Sequence, residues 1–222
     1  MPDTDDTADA ATLPDALRLT PVEARVLGSL IEKEATTPDQ YPLTENSLTL
    51  ACNQKTSRDP LMELSSGEVG HTLRQLEVRQ MVRSQHAARA QRWEHRFATA
   101  YGVTTPQQSA LCVLLLRGPQ TISEILTRTE RIARFAGLDE VRHTLERLAQ
   151  REPALVTLLP RAPGQREDRW MHLLCGPVDP DTIAAPARPA SGGAHSDLLA
   201  RIEALEARLA ALEAQLAPDS GA

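Results

Sequence analysis

Aromatic side chains make up only 3% of this 222-residue chain. Its cores must therefore rest on Leu, Val, Ile and Ala, and such cores favour helical layers over large sandwiches. The three cysteines, Cys52, Cys112 and Cys175, lie about sixty residues apart and form no C-x-x-C pair. So sparse and odd a count argues against a disulfide framework and suits a reducing compartment. No run approaches the ~20 apolar residues that span a bilayer. The opening MPDTDDTADAATLPD has neither the basic nor the apolar region of a signal peptide. The expectation is a soluble cytoplasmic protein without membrane contact. Catalytic signatures are missing as well: there is no G-x-S-x-G, G-x-x-x-x-G-K or G-x-G-x-x-G. His71, His86, His95, His143, His172 and His195 show no H-E-x-x-H or H-x-x-E-H spacing. His86, His95 and Cys52 match no known metal-ligand spacing, and Cys112, on an apolar helix, reads as core. No catalytic residue, metal or cofactor is expected, and the chain reads as a non-enzyme.

What is present begins with charge. The net charge of −6 is unevenly spread. Residues 1–15 carry five Asp and no base, and residues 178–222 are net −4. The stretch between them is net +3. A mildly basic body between acidic tails permits a polyanionic partner without requiring one.

Along the chain, residues 1–16 are acidic and small and predict disorder. Thr20-Pro21-Val22-Glu23 is a helix start, with a cap, a Pro and a Glu three residues on. Val22, Val26, Leu27, Leu30 and Ile31 supply helical spacing towards Ala35. Leu43-Thr44 opens a second helix with Leu48 and Leu50 on its face, ending near Asn53. Ser66 caps a third, with Val69, Leu73 and Leu76 as one stripe. Met81–Arg83 reads as a strand, Gln85–Gln91 as a basic loop and Trp93–Phe97 as a return strand.

The order then repeats. Thr105-Pro106 starts a helix carrying Leu111, Leu114 and Leu115, and Gly118-Pro119 stops it. Thr121-Ile122-Ser123-Glu124 opens the next, and Asp139 caps a third with Val141, Leu145 and Leu148. Leu155–Leu159 and Arg169–Leu174 are the strands. Val-x-x-x-Leu-x-x-Leu thus recurs at Val69 and Val141, each time before a strand, a polar loop and a Trp-bearing strand. The first copy is longer by thirteen residues between its first and third helices. Three helices and a hairpin form a winged helix, a helix-turn-helix variant. The fold class is therefore mainly α with small β-hairpins: winged-helix units at 17–101 and 102–176. A Pro/Ala/Gly linker follows at 177–196. In 197–217, Leu198, Ile202, Leu205, Leu209, Leu212 and Leu216 keep the a/d spacing of a short coiled-coil helix.

Longer stretches carry a resemblance. Leu19–Leu27 (LTPVEARVL), Thr36–Leu43 (TTPDQYPL), Ala51–Pro60 (ACNQKTSRDP), Leu115–Thr121 (LLRGPQT) and Arg166–Leu173 (REDRWMHL) are similar to the YceH family of uncharacterised bacterial proteins, as is the heptad tail. The match covers roughly 17–176. It implies tandem winged helices and brings no biochemical activity with it.

In such a fold the third helix enters the major groove and the wing touches the backbone. With Val69, Leu73 and Leu76 inward, His71, Arg74, Gln75 and Arg79 face outward, and Arg and Gln match guanine and adenine edges. Arg83, Arg89 and Arg92 on the hairpin offer phosphate contacts, although Glu68 and Glu77 flank the face. In Asn53–Arg58, Lys55 and Arg58 either clamp phosphates or, in the plainer view, Asn53 caps the second helix and Arg58 pairs with Asp59 or Glu63. The second copy turns Arg142, His143, Glu146 and Arg147 outward, a mixed surface suited equally to a dimer or inter-domain contact and to nucleic acid, so the first copy is expected to be the stronger binder. Two functions compete. One is a regulator binding double-stranded DNA. The other is an adaptor for protein partners, as in the chromosome-segregation accessory protein ScpB, which the chain resembles in layout. The heptads pair with a second chain as a homodimer or fold back on the body.

Overall fold

A computed structural model describes residues 13–86, 90–161 and 166–178. Five of the helices start where side chains replace missing backbone partners. Helix α1 (Pro21–Thr36) opens at Thr20, whose hydroxyl accepts from the Glu23 amide at 3.2 Å, while the Glu23 carboxylate accepts from the Thr20 amide at 2.8 Å. This reciprocal box satisfies two amides that a helix start leaves orphaned. It recurs at Ser65 and Glu68 for α3 (Ser66–Val78) and at Thr121 and Glu124 for α6 (Ile122–Thr129). Helix α2 (Glu45–Cys52) is capped by Thr44, and α5 (Thr105–Arg117) starts from Thr104, whose amide donates to Gln107. Two caps therefore lie one residue earlier than the sequence suggests, at Ser65 and Thr104, because the acid or amide must sit three residues on. Asp139 caps nothing. Helix α7 (Leu138–Ala149) begins after Gly137 without a side-chain cap, and Asp139 lies in its first turn, where a negative charge suits the helix dipole.

Two small antiparallel sheets accompany the helices. Strands β2 (Val82–His86) and β3 (Gln91–His95) pair from Val82 opposite His95 to His86 opposite Gln91. A two-residue β1 (Leu43–Thr44) adds to the other edge of β3, with Leu43 opposite Trp93. The sequence pattern predicts helix from Leu43, but Thr44 is the cap of α2 and so is still extended. The return strand stops at His95, and Phe97 instead begins a short helix, α4 (Phe97–Tyr101). In the second copy β4 (Val156–Leu159) pairs with β5 (Arg169–His172). Among the described residues there are seven helices, none long and apolar enough to cross a membrane.

Both repeated seams point inward. Val69, Leu73 and Leu76 have no exposure, nor do Val141, Leu145 and Leu148. Burying each such side chain stabilises the fold by about 1.5–3 kcal/mol. The copies join through their first helices. Every residue of α1 from Glu23 to Ile31 is buried, as is every residue of α5 from Ser109 to Leu116. Periodicity predicts one apolar stripe for α1, yet the helix is buried all round because α5 covers its other side. The two helices come close at Gly28, where an added Cβ would stand 2.9 Å from Leu116 Cδ2 and 3.3 Å from Leu115 Cβ. There the Cys112 thiol donates to the Gly28 carbonyl at 3.4 Å. One apolar cluster consequently runs from Leu13 through both copies to Leu174.

From cap to cap the first copy runs 24 residues between α1 and α2 against 17 in the second, and 21 between α2 and α3 against 16. The extra chain forms a 3-10 turn (Pro38–Gln40), β1 and a longer α2–α3 loop.

Candidate functional site

The sequence places the chemistry on α3, the α2–α3 loop and the β2–β3 hairpin. α3 rests on α2 at Gly70, where a Cβ would come within 2.5 Å of the Glu45 carboxylate. That carboxylate accepts from the Ser66 hydroxyl at 2.6 Å. With the helix seated this way, His71, Arg74 and Gln75 are exposed on its outer side. The His71 Nε2 and Gln75 Nε2 atoms lie 2.9 Å apart, so the two side chains are already aligned one turn apart. Both flanking acids are engaged within the protein. Glu68 accepts from the Ser65 amide at 2.8 Å and the Ser65 hydroxyl at 2.6 Å, and these bonds hold its carboxyl below the usual carboxylate range. Glu77 accepts from the Ser84 amide at 3.0 Å and ties α3 to β2.

Arg79 faces inward along the chain and not towards a ligand. Its guanidinium pairs with Glu23 at 2.7 Å and donates to the carbonyls of Ala16 and Arg18. It therefore leaves the candidate set: these bonds fasten the segment before α1 to the end of α3. Arg58 departs more completely. Its side chain is fully buried; Nη1 and Nη2 lie 3.1 and 2.6 Å from the two oxygens of Glu32, and Nε and Nη2 donate to the Ala51 carbonyl at 3.1 and 2.9 Å. It pairs with neither Asp59 nor Glu63; a carboxylate 26 residues away on α1 takes it. Asn53 grips the Leu64 backbone with both ends of its amide, at 2.7 and 2.9 Å, and so closes the loop. Lys55 stays exposed on that loop.

On the hairpin, pairing with Trp93 inward turns residues 92 and 94 to the other face. Arg83 is largely exposed, 4.0 Å from Glu94, and Gln85 also bonds Glu94. Arg92 is half-buried and donates to the Pro42 carbonyl at 2.7 Å, which secures the strand before α2. Arg89 and the six heptad residues from Leu198 to Leu216 lie outside the described residues. Of the residues singled out from sequence on α3, the loop and the hairpin, those left exposed among the described residues are thus His71, Arg74, Gln75, Lys55 and Arg83.

Sequence reading missed Arg25. This guanidinium is 1% exposed in the middle of α1 and donates to the Cys52 carbonyl at 3.1 Å and the Pro60 carbonyl at 2.5 Å. Burial, and the neighbouring Arg58 charge, pull its pKa down from the ordinary arginine value. Arg25 and Arg58 together cap the C-terminal carbonyls of α2, where cations are favourable. The loop they hold reaches the second copy, with the Asp59 amide donating to the Leu116 carbonyl at 2.8 Å. The only signal was an arginine set among apolar residues of α1.

With this geometry established, comparison with known proteins places the chain. A family described as a protein of unknown function, DUF480, matches residues 19–165. The chain belongs to this family. It is 53% identical over 214 residues to UPF0502 protein Smlt0097 of Stenotrophomonas maltophilia strain K279a, covering 94% of this chain and 97% of that one. UPF0502 protein mll4256 of Mesorhizobium japonicum is 52% identical over 188 residues, covering 85% and 90%. UPF0502 protein XOO0224 of Xanthomonas oryzae pv. oryzae is 55% identical over 190 residues, covering 83% and 85%. The DUF480 match spans α1 to β4 and takes in every exposed group named above.

Proposed function

We propose that the chain is a non-catalytic cytoplasmic DNA-binding protein, a transcriptional regulator built from two winged-helix units at 17–101 and 102–176. The first unit contacts the duplex through α3, the α2–α3 loop and the hairpin. The supporting arrangement is three helices followed by an antiparallel hairpin in each copy. One observation carries the reading: the outer side of α3 presents His71, Arg74 and Gln75 to solvent while Glu68 and Glu77 are occupied within the protein. Arg74 and Gln75 offer the donors that read guanine and adenine edges. Lys55 and Arg83 add phosphate contacts. A homodimer through the heptads of 197–217 belongs to the same proposal.

The test is fluorescence anisotropy with a mixed-sequence duplex across a salt series. Binding is expected at ~50 mM salt and should weaken steeply as salt rises. The double substitution Arg74→Ala, Gln75→Ala should cost tenfold or more in affinity, since a good bidentate base contact is worth about 1–3 kcal/mol, with the melting temperature unchanged. Undetectable binding of the unaltered chain at ~50 mM salt overturns the reading.

A second reading, a protein-interaction adaptor, draws on three exposed apolar residues of the first copy: Leu50 at 67%, Leu61 at 63% and Val78 at 84%. Exposed apolar side chains of this kind are available to a protein partner. A stoichiometric protein partner retained after nuclease treatment would favour it.

A further inference from the structure

We infer that the second copy carries a duplex-contacting face of its own, so that one chain grips DNA at two places; this rests on the DNA-binding reading above. The repeat is closer than its apolar seam alone. Val69-x-His71-Thr72-Leu73-x-x-Leu76 on α3 is matched by Val141-x-His143-Thr144-Leu145-x-x-Leu148 on α7. In both helices the Val and the two Leu are fully buried, the Thr is buried and the His is exposed. His71 and His143 therefore hold the same station on equivalent helices.

The way the copies join leaves both faces uncovered. α1 and α5 are the helices buried all round, and they supply the join. Arg142, His143, Glu146 and Arg147 of α7 are exposed. A surface between the copies, one use open to these residues from sequence, is thereby taken by other helices.

Beside α7 lies a cleft of about 550 Å³, at the turn from α6, lined by Glu130, Arg131, Arg134, Phe135 and Gly137 among others. Arg131 and Arg134 are both exposed. Several acids nearby are engaged: Glu140 accepts from the Ala136 amide at 2.6 Å, Asp139 lies 3.5 Å from Arg142, and Glu124 holds Arg128 and Arg169. Glu130 lines the cleft with Arg131 and Arg134, and Glu146 is exposed next to Arg147 on α7. In copy one the loop before the third helix carries a single exposed lysine, Lys55; here the corresponding turn carries two arginines. Arginine forks suit phosphate oxygens bidentately, and a duplex lying along α7 would bring phosphates to this turn.

The experiment uses the full chain and a mixed-sequence duplex of about 30 base pairs, with affinity measured by anisotropy from ~50 to ~300 mM salt. The triple substitution Arg131→Ala, Arg134→Ala, Arg147→Ala is expected to reduce the salt slope by about 2–3 and the affinity at 0.1 M salt by roughly 100-fold. The matching Lys triple, which keeps charge but loses the fork, should restore most of the slope. Thermal melting of each variant confirms folding, and the Lys variant carries the test if the Ala variant melts early. If the unaltered chain binds duplex and the Ala variant keeps its slope and affinity, the second face is refuted while the first stands. If the unaltered chain does not bind, both fall together. Loss of slope with Ala that Lys does not restore also refutes it, because a phosphate contact depends on the charge.

Discussion

Arg58 is the sharpest place to separate a structural arginine from a DNA-contacting one. Replacing it with Met keeps the aliphatic stem and removes the fork. Glu32 then loses both Arg58 donors and, among the described residues, keeps Lys33, whose ammonium is 3.9 Å away. The Ala51 carbonyl loses two donors as well. Removing one partner of a buried pair costs about 3–5 kcal/mol, since the remaining charge stays desolvated. Glu32 is 17% exposed on its side chain, so the lower end applies, about 3 kcal/mol. For a unit of this size that is a drop of roughly 6–12 °C in melting temperature. Calorimetry on Arg58→Met, Glu32→Gln and the double variant closes a cycle, and the double should be less damaging than the two singles combined. Duplex affinity, measured well below the melting point, should stay within about twofold of the original. If Arg58→Met melts within a degree of the unaltered chain and loses duplex affinity, the assignment of Arg58 to the interior is refuted and the phosphate clamp read from sequence is restored.

Two further outcomes follow from the same packing. Gly28→Val should lower the urea midpoint by an amount worth about 3 kcal/mol, because its Cβ collides with Leu116 and with Leu115 Cβ, which the helix backbone fixes; an unchanged midpoint would mean that α1 and α5 do not cross there. His172 is fully buried with Nδ1 unpartnered, and burial pushes its pKa down to about 4. The unfolded chain takes up a proton near pH 6.5 that the native state refuses, so stability present at neutral pH is lost as pH falls from about 6.5 to about 4. At pH 5 the loss is about 2 kcal/mol, and His172→Leu should remove that portion of the pH dependence in urea titrations. Identical pH dependence in both chains would refute the buried neutral histidine.

Several elements were legible because their causes are local. The caps at Thr20 and Thr121 and the seams at Val69 and Val141 depend on residues three to seven apart, within reach of helical geometry. Smaller features slipped through for equally physical reasons. β1 is two residues long and exists only because β3 has an edge to pair. α4 begins at Phe97, in a stretch whose alternation read as strand. Of the nine DNA-facing residues expected, Arg89 lies outside the described residues, and His71, Arg74, Gln75, Lys55 and Arg83 are found exposed, since a helix face or loop follows from spacing. Arg58, Arg79 and Arg92 are not free, since each one's partners lie outside its own element.

Local spacing by itself determined that the chain holds two copies of one helix-and-hairpin pattern, which stripe of each third helix is apolar, and where most helices begin. Tertiary structure alone decided that α1 from Glu23 to Ile31 and α5 from Ser109 to Leu116 are buried on every side, that Arg25 and Arg58 serve the interior, and that Arg79 is tied to Glu23 and the segment before α1. A helix records one apolar face in its own periodicity, but the second face, and the partner of a long charged side chain, are chosen by whatever distant segment packs there.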